Sequence, residues 1–299
     1  MTDVQHPSGG ATVVFLHIGK TAGSSIRKVL FRNVPADRVL WIRQPRERPH
    51  GFLGDHVMRD LAALDEEERR RARLIVGHMY FGVHELIPGE CLYLTMLRDP
   101  VSRAVSQYAH VLRRTNHRFH ELVNTEGMGL SEYITSGLAT ETDNSQTRAI
   151  AGDIDTPFGA CTPEMLERAK ANIDRHFALV GLVERFDETL VQLQSTFGWN
   201  RLWNVRANAA PRSQRPDVTE RDREAIQEQN RLDVELYAYA AARFQQRMDD
   251  DPTFAARLRR YRRGNAVYQP WGRVKYRARR EMVFFVKRRR ARRNARPST

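Results

Sequence analysis

Six consecutive residues, Lys20-Thr21-Ala22-Gly23-Ser24-Ser25, supply one ammonium group, three hydroxyls and two small side chains. They follow almost directly on the apolar run "ATVVFLHI", Ala11 to Ile18. A loop between a buried strand and a helix start presents free backbone N–H groups and the positive end of the helix dipole, a combination that binds anions. Ala22 and Gly23 let the backbone approach a ligand closely, Lys20 adds a mobile positive charge, and Thr21, Ser24 and Ser25 add hydroxyl donors. The nucleotide P-loop G-x-x-x-x-G-K-[ST] is the obvious comparison. Gly19-Lys20-Thr21 fits its end, but Val14 stands where the first glycine belongs, so the strict pattern fails. A plain turn with an exposed lysine is the alternative; the strand–loop–helix setting favours anion binding.

Two further places have chemical potential. In "LTMLRDPVSRAVSQYAH", Leu94 to His110, Arg98 lies just past an apolar run and Ser106 lies two helical turns later on roughly the same face. Together they suit a second phosphate, at the strand end where open α/β sheets gather ligands. Composition alone fits equally well a surface Arg98–Asp99 pair with a solvent-facing serine. In "VGHMYFGVHE", Val76 to Glu85, His78 follows another short apolar run and opens toward the same rim. An imidazole titrates near pH ~6.5 and makes a natural general base; a hydrogen-bonded structural histidine is the competing reading. His84 and Glu85 fit less well, because they begin a surface helix.

The elements that must position these groups alternate along the chain. Ala11–Ile18, the run ending at Gly77-His78, Cys91–Met96 and Phe177–Leu182 are apolar without alternation, as in strands covered on both faces. Helical spacing covers Ser24–Phe31, Asp55–Arg73, Asp99–Arg113, Thr162–Arg175, Asp187–Phe197 and Thr219–Met248, with two short helices between Leu130 and Ala151. Pro100 is acceptable in a first turn. Residues 33–52, rich in Pro and Arg, read as loop, and 199–216 as an irregular basic loop. Strands alternating with helices predict an α/β, P-loop-like three-layer fold with a central, mostly parallel sheet flanked by helices.

The 299 residues are 41% hydrophobic and 28% charged, which is ordinary for a folded soluble chain. Charge is distributed unevenly. Seventeen Lys and Arg against the single acid Glu281 give Arg257–Thr299 a charge of +16, so the preceding 256 residues carry −3 of the total +13. Cys91 and Cys161 are 70 positions apart without companions, which argues against a zinc site or a disulfide framework. Neither a signal peptide nor a membrane span is visible in the sequence.

Taken together, the three segments resemble the carbohydrate sulfotransferases, particularly the heparan sulfate and dermatan/chondroitin uronyl 2-O-sulfotransferases and their bacterial relatives. The family pattern F-x-H-x-P-K-T-[AG]-[GS]-[ST]-S matches "FLHIGKTAGSS" except for Gly19 in place of Pro. R-D-P-x-x-R-x-x-S matches Arg98 to Ser106 completely, and a G-H motif matches Gly77-His78. The likeness spans roughly residues 12–248 and extends to "FALVGLVERFDETLVQL" and "NRLDVELYAYAAARF".

What the resemblance implies is specific. The donor would be 3′-phosphoadenosine 5′-phosphosulfate (PAPS), with Lys20, Thr21, Ala22, Gly23, Ser24 and Ser25 around the 5′-phosphosulfate and Arg98 and Ser106 on the 3′-phosphate. His78 would take the acceptor hydroxyl proton, and Lys20 would neutralise charge on the bridging oxygen of the leaving group. The acceptor would be a carbohydrate or glycoconjugate hydroxyl, and no metal is expected. Gln146 and Arg148 of "DNSQTRAIAG" would line the acceptor cleft, with Arg212 in the 199–216 loop contacting the donor. Animal Golgi members carry an N-terminal anchor not seen here, so a bacterial-type cytoplasmic enzyme is expected. Domain limits follow as a flexible 1–10, a sulfotransferase domain over 11–248, and a basic tail over 249–299, partly helical or disordered.

Basic residues flanking short aromatic and aliphatic runs in that tail suit an anionic membrane surface at the inner face of the membrane. An anionic polysaccharide site, a nucleic-acid patch or a solvated tail are the alternatives. Two other functions stay in view. A P-loop kinase-like phosphotransferase would need a Mg²⁺-binding carboxylate, for which Asp99 is the nearest candidate. A nucleic-acid-binding protein rests on the tail alone, and the −3 body opposes it.

Overall fold

Burial on both faces explains the unalternating apolar runs. Five strands, β1 (Thr12–Leu16), β2 (Val39–Trp41), β3 (Leu74–Gly77), β4 (Cys91–Leu97) and β5 (Phe177–Leu182), form one sheet in the order β2-β3-β1-β4-β5. Every pairing is parallel. The computed structural model describes residues 10–42, 55–205 and 216–294, side chains at 55–56 and 275–294 excepted. Within β1, Val13 and Phe15 join one hydrophobic core while Val14 and Leu16 join the other. The helices that cover these faces complete the expected three layers.

Along the chain the helices are α1 (Gly23–Asn33), α2 (Asp55–Ala62), α3 (Glu66–Arg71), α4 (Pro100–Arg113), α5 (His120–Thr125), α6 (Leu130–Thr135) and α7 (Ser145–Ala151). They continue with α8 (Pro163–His176), α9 (Phe186–Phe197), α10 (Glu220–Gln229), α11 (Arg231–Asp249) and α12 (Phe254–Asn294). One core joins the sheet to Ile26, Val29 and Leu30 of α1 and to Leu190, Leu193 and Phe197 of α9. The other joins it to α2, α7, α8 and α11. A third cluster, centred on Val101, Ala104, Tyr108 and Val111 of α4, gathers α5, α6 and α10.

Several boundaries differ from expectation, each for a local reason. The stretch read as loop contains β2, an edge strand of three residues that among the described residues pairs only with β3 and is half-exposed. Asp55–Arg73 is two helices, because Asp65 caps α3 by accepting the Glu68 N–H at 2.6 Å. Thr219–Met248 breaks at Asn230, whose side-chain oxygen accepts the Asn144 N–H at 3.1 Å. Packing also continues past the expected boundary at 249. Phe254 is buried, Arg262 of α12 pairs with Glu188 of α9 at 3.1 Å, and Asn265 accepts the Asn204 N–H at 3.1 Å. At Gly272 an added Cβ would stand 2.4 Å from Val205 Cγ2, so the helix is docked for its first five turns.

β1 sits between β3 and β4, and the chain visits both sides of it. The carboxyl ends of these three strands therefore surround the switch point at which open α/β sheets bind ligands. The segments after β1, β3 and β4 are the ones that carry Lys20, His78 and Arg98.

Candidate active site

The loop after β1 is built around two left-handed residues that are not glycine. Lys20 has φ 68° and Ala22 has φ 59°. Each such residue costs about 1–2 kcal/mol, and backbone held this way clusters at ligand-binding sites. Alternating left-handed residues of this kind are the backbone setting in which anion-binding nests form. Helix α1 begins immediately after it, with neither a side-chain cap nor an acid in its first turn. Gly19, where the resembled family has proline, leaves open space around an added Cβ.

Gly23 has a separate duty. A Cβ there would lie 1.6 Å from His17 Nε2, so the glycine is the seat of the His17 ring. His17 in turn stacks on His78, with ring centroids 4.0 Å apart and planes 26° from parallel. Strand register dictates the pair: Leu16 of β1 faces Gly77 of β3, so the next residues of the parallel ladder are His17 and His78. Burial, reinforced by His78 and then Arg27, pushes the His17 pKa down to about 2, so this imidazole is neutral at any working pH. Replacing Gly23 by Ala should expel His17 from the stack, lower stability by about 1–3 kcal/mol as overpacking does, and cut turnover. Melting temperature and steady-state rate check this; wild-type values for both would show that the His17 seat is dispensable.

Arg98 follows β4 and is fixed by its backbone. Its N–H donates to Gln146 Oε1 and its carbonyl accepts from Gln146 Nε2, both at 2.9 Å. The guanidinium donates to the Lys20 carbonyl at 3.2 Å, tying this strand end to the first loop. Helix α4 then lays Ser102, Ser106 and His110 along the cleft at four-residue intervals, with Arg114 following at its C-cap. Asp99 caps α4 by accepting the Ser102 N–H at 2.8 Å, which occupies the carboxylate that a kinase reading would assign to Mg²⁺. Among the described residues there is no group of three His, Cys, Asp or Glu placed to hold a metal.

The structure corrects three expectations. Thr21 is fully buried and its hydroxyl donates to the Ile18 carbonyl at 2.9 Å, so it shapes the loop from within and does not face the cleft. Gln146 and Arg148 do not line the cleft either. Both are fully buried: Gln146 clamps Arg98, and Arg148 pairs with Asp143 at 2.5 Å and donates to the Pro157 carbonyl at 2.8 Å. Around them Asn144, left-handed at φ 47°, accepts the Leu232 and Asp233 N–H groups of α11. Asp233 accepts from the Thr147 N–H and hydroxyl and sits 4.0 Å from Arg103. Residues 143–148 are thus a polar hub joining α4, α7 and α11. Arg212 lies outside the described residues.

The resulting cleft has a volume of ≈ 1370 Å³. That exceeds the roughly 300–1,000 Å³ of a pocket for one small molecule, so it has room for a donor and an acceptor together. Lys20, Ala22, Gly23, Ser24, Ser25, His78, Arg98 and Ser106 all line it. Among the described residues so do Arg103, Arg113, Arg114 and Arg223, against the single carboxylate of Glu141, itself paired with Arg118 at 2.9 Å. Burial, then Arg113, Arg98 and Arg114, pull the Lys20 pKa down to about 8. Burial and Lys20 likewise push His110 down to about 4. Cations crowded in this way attract a multiply charged anion. The sequence points to Ser106 and Gln146 but not to His17, Ser102, His110 or Arg114, although the four-residue spacing from Ser102 to Arg114 is visible in it.

The fold is α/β with a cation-lined cleft at the carboxyl edge of its sheet, and the comparisons give the class, a sulfotransferase. The chain belongs to the galactose-3-O-sulfotransferase family, whose family model matches residues 4–263. Heparan-sulfate 6-O-sulfotransferase 1 of Homo sapiens is 26% identical over 277 residues, covering 80% of this chain and 67% of that protein. Heparan-sulfate 6-O-sulfotransferase 2 of Mus musculus is 26% identical over 289 residues, with 45% of its own length covered. Galactose-3-O-sulfotransferase 2 of Sus scrofa is 25% identical over 194 residues, covering 62% of this chain and 48% of that protein. The chain thus spans about half to two thirds of these relatives' lengths. Among solved structures, a sulfotransferase from Alicyclobacillus acidocaldarius is 19% identical and covers 79% of this chain and 96% of its own, with a TM-score of 0.40.

Proposed function

We propose that the cleft binds PAPS and that the chain moves its sulfuryl group to a hydroxyl of a carbohydrate or glycoconjugate. The observation that carries this reading is the strained, uncapped cradle Lys20–Ser25, opening on a cleft ringed by cations. A donor with phosphate at both ends of its ribose suits that excess of positive charge. When bound, it supplies an activated sulfuryl group on a nucleotide leaving group. The backbone N–H groups from Ala22 to Ser24, with the Ser24 and Ser25 hydroxyls, hold the 5′ end. Arg98 and Ser106 hold the 3′-phosphate, with Gln146 fixing the arginine. Lys20 places its ammonium where negative charge develops, an interaction that gains strength in a water-poor site. His78 accepts the acceptor hydroxyl proton, and His17 orients its ring. Positioning and electrostatics do the rest of such an in-line transfer.

The motif pattern points to the uronyl 2-O branch, whereas the named relatives are 6-O and galactose 3-O enzymes. Regiochemistry is therefore part of the proposal, read by NMR of the sulfated product.

Calorimetric titration with 3′,5′-diphosphoadenosine and with ATP–Mg²⁺ tests the donor. The diphosphoadenosine should bind and ATP–Mg²⁺ should not; the reverse would install the kinase reading. The pH series adds a sign. Lys20 holds its proton below about pH 8 in the free protein. An anion favours the protonated form, so above about pH 7, where the ligand's phosphates are already ionised, affinity falls as pH rises through about 8, by at most tenfold per pH step. Lys20→Met should be weaker throughout and lack this inflection. A wild-type profile flat from neutral to strongly alkaline pH would remove Lys20 from the donor contact.

A further inference from the structure

Three large apolar side chains stand on the surface of α12: Val267, Trp271 and Val274 are 75%, 72% and 64% exposed. At about 100° per residue they fall within roughly 60° of one another, in a single stripe. The docked face is a different one. It carries Asn265, Gln269, which donates to the Asn204 carbonyl at 2.5 Å, and Tyr268, which packs on Trp203 with centroids 5.9 Å apart. The stripe is therefore turned away from the helix's own domain. In the sequence its spacing of three or four residues continues through Ala278, Met282 and Phe285, with no charged residue at those positions. Around them, residues 273–296 contain twelve Lys and Arg against Glu281.

We propose that α12 lies along an anionic membrane surface, with the Val267–Trp271–Val274 stripe sunk at the headgroup boundary and the flanking basic residues on lipid phosphates or carboxylates. An apolar stripe bearing tryptophan, bordered by dense positive charge, is the pattern of interfacial helices. The helix lies on the surface and does not span it: among the described residues no helix is long and apolar enough to cross a membrane. A polyanion such as nucleic acid or a sulfated glycan would engage the charge but give no reason for three exposed apolar side chains. A second copy of this chain packed stripe to stripe would bring a +16 segment against another +16 segment. Anionic lipid answers both features at once.

Cosedimentation of the full chain with phosphatidylcholine vesicles, with and without phosphatidylserine, tests this. Binding is expected only when phosphatidylserine is present. Arg273→Gln with Lys275→Gln should weaken it about thirtyfold, from about 1 kcal/mol for each basic residue near such a surface. The triple change Val267→Ser, Trp271→Ser, Val274→Ser should weaken it about a hundredfold or more. Because those three side chains are exposed, the melting temperature of the triple variant should match wild type. Unchanged vesicle binding by the triple variant would overturn the proposal. Capture by heparin or DNA without vesicle binding would replace it with a polyanion partner. Self-association lost in the triple variant, again without vesicle binding, would replace it with a second copy. Diphosphoadenosine binding is independent of all these outcomes, so failure here leaves the sulfotransferase reading untouched.

Discussion

Replacement of His78 by Ala is expected to lower kcat by about 10²–10⁴, the contribution of a positioned general base, while leaving affinity for 3′,5′-diphosphoadenosine at the wild-type level. Single-turnover rates and calorimetry check the two halves separately. The choice between the two stacked imidazoles follows from their environments. His17 is 7% exposed, seated over Gly23, and held neutral with a pKa near 2. It cannot accept a proton in the working range. His78 is half-buried and lines the cleft, where the proposal puts the acceptor. His17→Phe keeps an aromatic ring in the seat and should cost less than His78→Ala, mainly in kcat. A His78→Ala enzyme with full turnover would strip His78 of the base role, and a His17→Phe loss equal to that of His78→Ala would give the two rings a shared one.

The second large effect is on stability. Arg148→Met leaves the Asp143 carboxylate buried without its guanidinium partner, and both side chains are at most 1% exposed. Removing one partner of a buried pair costs about 3–5 kcal/mol, because the remaining charge is stranded in a low-dielectric interior. Asp143 keeps the Gly159 N–H at 2.9 Å, which places the loss toward the lower end. Urea denaturation should show a lower midpoint with an unchanged slope, the signature of lost stability without a change in the unfolded ensemble. The acceptor-lining role expected from sequence makes the opposite forecast: a raised acceptor KM with an unchanged midpoint. The same measurement decides between them.

The first prediction keeps the base role that the resemblance implies for His78, whereas the second gives Arg148 a task different from the acceptor-cleft one expected of it. The resemblance motif includes His17 and places "DNSQTRAIAG" at the acceptor cleft, yet neither signal says what the side chains touch. The cradle was legible because it is local. A strand apolar on both sides, a small-residue loop and a helix lie consecutively between Thr12 and Asn33, and their shape follows from backbone geometry over a few residues. Arg98, Ser106 and the α4 start were legible for the same reason, since Asp99 caps and Pro100 opens the helix within one turn. Strand β2 escaped notice because three half-exposed residues in an Arg- and Pro-rich stretch carry no periodic signal; only pairing with β3 makes them a strand.

By itself the sequence determined the parallel α/β class, the three loops that carry Lys20, His78 and Arg98, and a basic segment charged apart from the body. Those are properties of short windows: burial periodicity, capping and composition. The tertiary structure decided that His17 rests on His78, that Gln146 grips Arg98 from 48 positions away, and that Arg148 closes a buried hub and not a binding cleft. It also turned the Val267–Trp271–Val274 stripe outward by docking the opposite face of α12. Each of these depends on strand register or helix docking between distant segments. There a shift of one residue moves a side chain to the other face, and no local pattern records the outcome.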